Sequence, residues 1–246
     1  MDEAAVRRDL DVIAAHRVFF GHQSVGADIM EGVRELSAAA GSPVRLEHLS
    51  AAPLPAGPWC ADAMVGRNGD PASKCAAFAG IVDRLSRDSL DLAVLKFCYV
   101  DVRPGRDVDT MFGEYERTVT SLKRSHPGII IVHATVPLTE RSAWWKRAIR
   151  KVLGRQDATD EGNAKRSQFN DMLIARFAGE PLFDIARLES TYPDGTRSSF
   201  DAGGREAYSL VGAYTRDGGH FNQTGRRLAA AAFVRTLAEA LRGRAQ

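Results

Sequence analysis

The sequence predicts an α/β fold in which a parallel sheet carries helices on both faces. Short apolar runs rich in β-branched or aromatic residues alternate along the chain with segments of helical period. Two of the runs, residues 90–100 (LDLAVLKFCYV) and 129–136 (IIIVHATV), are almost continuously apolar, as strands covered on both faces must be. Neither an internal repeat nor a linker interrupts the alternation, so residues 1–246 read as a single domain. A chain of this length can bury about three-quarters of its surface.

In chain order, residues 18–21 (VFFG) form the first strand and 25–40 the helix after it. A second strand at 44–49 (VRLEHL) leads to a helix over 72–87. The run at 90–100 is the third strand, with a helix over 108–125, and the run at 129–136 is the fourth, with a helix over 164–178. Residues 182–185 (LFDI) are the fifth strand. Leu228, Ala231, Val234, Leu237 and Leu241 then give a final helix one apolar stripe at three- and four-residue steps. Two connections, about 50–72 and 137–163, exceed the two to six residues usual in α/β units. Both follow a strand, which puts both over the carboxyl ends of the strands, where such folds bind ligands.

Composition removes several classes. With 44% hydrophobic and 26% charged residues the chain is not intrinsically disordered. A net charge of +2 lacks the field of an obligate nucleic-acid binder. No apolar run approaches the ~20 residues of a membrane helix. The opening MDEAAVRR has no apolar core and is not a signal peptide, and the compartment stays open. Of the three cysteines, Cys98 reads as a buried small hydrophobe. Cys60 and Cys75 flank a polar loop and either pair in an oxidising compartment or remain reduced.

Chemistry-bearing residues gather at the two ends. Gly21-His22-Gln23-Ser24-Val25-Gly26 carries the chain from the first strand into a helix. A serine there either caps the helix or presents its hydroxyl at the ligand face beside free N–H groups. Asp217-Gly218-Gly219-His220 immediately precedes the last helix. Its two glycines allow the carboxylate to meet Nδ1 of the ring, leaving Nε2 free to take a serine proton. The plainer alternative is a polar loop in which Asn222 or Thr224 caps the helix.

A serine just after the first strand, with Asp-x-x-His before the C-terminal helix, resembles the SGNH/GDSL hydrolase superfamily over nearly the whole chain. The resemblance implies a flavodoxin-like three-layer α/β/α sandwich with a five-stranded parallel sheet of order 2-1-3-4-5. It also implies ester cleavage or acyl transfer through an acyl-serine, without metal or other cofactor. Ser24 is then the nucleophile, His220 the general base and later acid, and Asp217 the orienting carboxylate. Gly66 sits about where the superfamily's second block contributes a glycine N–H to the oxyanion hole, alongside Ser24 itself. Two departures stand out. The opening Gly-Asp-Ser is here GHQS, and the third block's asparagine is missing from Lys96-Phe97-Cys98-Tyr99-Val100-Asp101. Asn68, in Gly66-Arg67-Asn68-Gly69-Asp70, is the candidate replacement donor, unless this segment is only a turn.

His22, Gln23, Tyr99 and Asp101 are candidates to line the pocket. His16, His48, His126 and His133 read as structural. No His/Asp/Glu set has metal-ligand spacing, and neither a GxGxxG fingerprint nor a Walker A loop is present. Trp144 and Trp145 lie beside Arg141, Lys146, Arg147, Arg150, Lys151 and Arg155. This segment reads as a solvated lid helix packed on Trp145, Ile149 and Val152, or else as a contact for a glycan or a membrane surface. The substrate expected is a small-molecule or carbohydrate ester, with an O-acetyl sugar as one form. Acyl transfer to a glycan, or glycan binding by a catalytically weak module, is the alternative.

Overall fold

A computed structural model of the chain describes residues 2–49, 54–88, 90–143 and 157–243. Its strands are β1 (Arg17–His22), β2 (Leu46–His48), β3 (Trp59–Met64), β4 (Leu92–Leu95), β5 (Ile130–Ala134) and β6 (Leu182–Phe183). These form one parallel sheet in the order β2-β3-β1-β4-β5-β6. A short antiparallel hairpin, β7 (Ser199–Asp201) with β8 (Glu206–Tyr208), lies apart from it. The helices are α1 (Glu3–Ile13), α2 (Ser24–Ala40), α3 (Pro71–Leu85), α4 (Val108–Ser125), α5 (Ala158–Arg176), α6 (Ile185–Ser190) and α7 (Gln223–Gly243).

Two apolar cores sandwich the sheet. Val18 and Phe20 of β1 and Leu92 and Val94 of β4 face α1, α2 and α7, while Phe19, Ala93 and Leu95 face α3, α4 and α5. Burial on both sides explains the continuous apolar runs. The three-layer expectation holds, and the expected strand order survives with one strand added. That sixth strand, β3, sits inside the stretch expected to be a loop at 50–72 and pairs between β1 and β2. Its residues Cys60, Ala61, Asp62 and Ala63 are small or polar, so it carries little strand signal.

Other boundaries move as well. Helix α1 and the β7–β8 hairpin have no counterpart in the sequence reading. On α7, Leu228 is 40% exposed, and the buried stripe begins instead with Ala229, Ala230 and Phe233. A Cys60–Cys75 disulfide is ruled out, because both thiols are free and buried in opposite cores, with the sheet between them. Burial pushes both thiols up to about 12. Among the described residues, no helix is long and apolar enough to cross a membrane.

Helix α2 depends on Gly26. A Cβ there would lie 2.3 Å from His22 Cβ, because the His22 side chain passes under the first turn. Gly26→Ala is expected to cost about 2–3 kcal/mol, read as a lower urea midpoint at unchanged slope.

A second buried polar group sets a pH dependence of stability. His133 on β5 is fully buried, donates from Nε2 to Glu180 (3.0 Å) and accepts the Tyr115 hydroxyl at Nδ1 (2.7 Å). Burial is the main reason its pKa falls to about 4 from 6.5. The unfolded chain therefore takes up a proton near pH 6.5 that the folded one refuses until about pH 4. Stability from this site is present above pH 6.5 and lost as pH falls through that window, by about 3 kcal/mol. Urea titrations at pH 7 and pH 4.5 should show that loss, and His133→Gln should shrink it.

Candidate active site

Strand β1 runs directly into α2 with Gln23 as N-cap and Ser24 as the first helical residue. Ser24 is thus not the helix cap. The Gln23 side chain makes no cap bond. Its amide instead donates to the carbonyls of Val65 (2.8 Å) and Gly66 (3.2 Å), tying the loop after β3 to the serine turn.

The loop before α7 folds back on this turn. Asp217 Oδ1 accepts the backbone N–H of Gly219 (3.0 Å) and His220 (2.8 Å), and its Oδ2 meets His220 Nδ1 at 2.8 Å. A carboxylate only accepts, so Nδ1 carries the proton and the Nε2 lone pair faces outward. Nε2 lies 2.9 Å from Ser24 Oγ, across a sequence separation of 196 residues. The hydroxyl therefore donates to the ring. The backbone N–H of His220 is the chief reason the Asp217 carboxyl is held down to about 2. Asn222 caps α7 through the Gly225 N–H (3.0 Å).

Three residues missed from the sequence, Asp28, Arg216 and Arg166, brace the segments on either side of the histidine. Asp28, one turn after Ser24 on α2, accepts the Phe221 N–H (3.1 Å) and pairs with Arg216 (3.2 Å), which itself donates to the Phe221 carbonyl. Its signal was available: an acid four residues after the serine shares that residue's helix face. The Tyr99 ring stands edge-on to the His220 ring at 5.9 Å, and a Cβ on Gly219 would strike it. Arg166 of α5 donates to the Tyr99 carbonyl (3.1 Å) and holds that segment.

Several expected pocket residues are buried. His22 is 1% exposed, with Nδ1 donating to the Gln23 carbonyl and Nε2 to Asp62. Burial opposes ionisation of Asp62, but hydrogen bonds from His22 and His48 keep its carboxyl below the ordinary carboxylate range. Gln23 is buried and engaged as described. Asp101 is fully buried against Lys74. These three support the site and do not line it. Tyr99 remains at its edge, half-buried. Trp144 and Trp145, with Lys146, Arg147, Arg150, Lys151 and Arg155, lie outside the described residues.

Three N–H donors, in the serine turn and in the loop that Gln23 ties to it, have no acceptor among the described residues. They are the backbone N–H of Ser24 at the uncapped start of α2, that of Gly66, and the Nδ2 of Asn68. Gly66 is in the left-handed region (φ 59°), where any Cβ would strike the α3 backbone at 2.5 Å, so only glycine fits.

No family model matches the chain, and no curated protein does either. Solved structures do. A mutant acetyl esterase with an acetate ion aligns at TM-score 0.54 and 15% identity, over 93% of this chain and 99% of its own. A carbohydrate esterase family 3 protein from Talaromyces cellulolyticus aligns at 0.53 and 14%, again over 93% and 99%. A lipase/acylhydrolase from Enterococcus faecalis aligns at 0.52 and 15%, over 91% and 96%. The chain has the fold of the SGNH/GDSL hydrolases.

Proposed function

We propose that the protein hydrolyses carboxylic esters through an acyl-serine on Ser24. The observation that carries this reading is the unbroken hydrogen-bonded line Asp217–His220–Ser24, with contacts of 2.8 and 2.9 Å. Ser24 Oγ attacks the ester carbonyl carbon while His220 Nε2 takes its proton. Asp217 keeps the ring in the required tautomer and offsets the imidazolium charge. The negative oxygen of the tetrahedral intermediate is received by the N–H groups of Ser24 and Gly66 and by the Asn68 amide. His220 returns the proton to the leaving alkoxide, which departs as an alcohol. Water then attacks the acyl-serine by the same proton route, releasing the carboxylic acid and restoring Ser24.

The finer reading is a short acyl group, in particular an O-acetyl group on a carbohydrate. The acetyl esterase and carbohydrate esterase among the fold neighbours support it. Acetate release from acetylated xylan and from p-nitrophenyl acetate, assayed side by side, tests it. Turnover of both substrates is expected. Turnover of the nitrophenyl ester alone overturns the carbohydrate assignment, and acetylated product from an added sugar acceptor moves the assignment to acyl transfer.

A further inference from the structure

We infer that Lys74, paired with Asp101, is a positioning residue that fixes which end of the Asn68 side-chain amide stands free. The inference rests on the ester-hydrolase reading and concerns the donor that stands in for the missing third-block asparagine. Lys74 lies in the first turn of α3 and is fully buried, as is Asp101 in the segment after β4. The ammonium meets Asp101 Oδ2 at 2.5 Å and Asn68 Oδ1 at 3.0 Å. An ammonium only donates, so the oxygen of the Asn68 amide must face it and the NH₂ must face away. There Nδ2 meets no acceptor among the described residues.

The surrounding bonds fix the frame in which the amide sits. Asp101 Oδ1 accepts the Gly69 N–H, and Oδ2 also accepts the Cys98 N–H, both at 2.7 Å. Arg106 spans the same gap, donating to the Gly69 and Asp101 carbonyls at 2.8 and 3.0 Å. Gln23 fastens the other end of the loop to the serine turn. The fold alone does not call for a charged pair here, since well-packed apolar residues often serve a buried position as well. What this pair adds is polarity at one point. It turns a side chain that could present either an oxygen or an N–H into a donor only. An amide oxygen turned toward a developing oxyanion would repel it.

Steady-state kinetics on p-nitrophenyl acetate test this with a double-mutant cycle. Asn68→Ala is expected to lower kcat about 100-fold with KM nearly unchanged. Lys74→Met should lower kcat about 10- to 100-fold, again with KM held, yet cause no further loss in the Asn68→Ala background. Because Lys74→Met strands the Asp101 carboxylate, Lys74→Met/Asp101→Asn is measured in parallel as a charge-neutral version, with thermal melts of each protein. A kcat near wild type in the charge-neutral variant overturns the inference, and so do losses that multiply with Asn68→Ala. Failure of the underlying ester reading looks different: the wild type itself would show no turnover that depends on Ser24.

Discussion

Ser24→Ala is expected to lower kcat for p-nitrophenyl acetate by at least about 1,000-fold while leaving the protein folded. Among the described residues the hydroxyl makes one side-chain hydrogen bond, to His220 Nε2, and Gln23 rather than Ser24 is the helix cap. Alanine is the best helix former, so α2 loses nothing by the change, and the melting temperature should move little. Activity and stability are therefore separable at this position. A variant that unfolds would mean the serine holds the turn together, and one that keeps full activity would mean the attack comes from elsewhere.

Asp217→Asn should be nearly as damaging, with a fall in kcat of about 100- to 10,000-fold, because of the way the loop holds the side chain. Oδ1 accepts two backbone N–H groups and must remain an oxygen in the variant. The new NH₂ is then forced to the Oδ2 position, where it donates to His220 Nδ1. That drives the ring proton to Nε2, and a protonated Nε2 cannot accept from Ser24. Since the wild-type carboxyl is held down to about 2, chiefly by the His220 N–H, it stays ionised throughout the neutral range. Titration of Asp217 should accordingly add no step to the wild-type kcat profile between pH 6 and pH 9, measured at saturating substrate. An Asp217→Asn variant whose kcat stays within a few-fold of wild type would contradict the tautomer argument.

Much of the architecture is legible in the residues because burial on both faces of a parallel sheet leaves a plain mark. The runs around Phe19–Phe20, Leu92–Leu95 and Ile131–Val132 are strands for that reason. Strand β3 escapes it since small side chains and Asp62 fill its inward positions. Helix α5 begins at Ala158, six residues earlier than its pattern suggests, because its inner face is polar by purpose. Asn163 bonds the N–H and carbonyl of Thr139, and Asn170 those of Val136, acting as substitute strand partners for the segment after β5. Hydrophobic periodicity does not register such a face.

At the candidate site, the meeting of Ser24, Asp217 and His220 was legible because their residue types and their places, after the first strand and before the last helix, matched the motifs of the SGNH/GDSL resemblance. Most supports were not. Arg166 and Lys74 act through backbone groups and side-chain amides brought near by the fold, and nothing in local spacing announces them. Asp28 alone left a trace, four residues after Ser24 on the same helix. His22 and Asp101 misled for the related reason that a polar residue at a strand end lines a pocket or braces it, and only packing decides which.

Treatment with a fluorophosphonate probe followed by mass spectrometry should give one adduct per chain, mapped to the peptide bearing Ser24, formed slowly in Asp217→Asn and absent from Ser24→Ala. An intact protein with no adduct, or one modified at another serine, would contradict a nucleophilic Ser24.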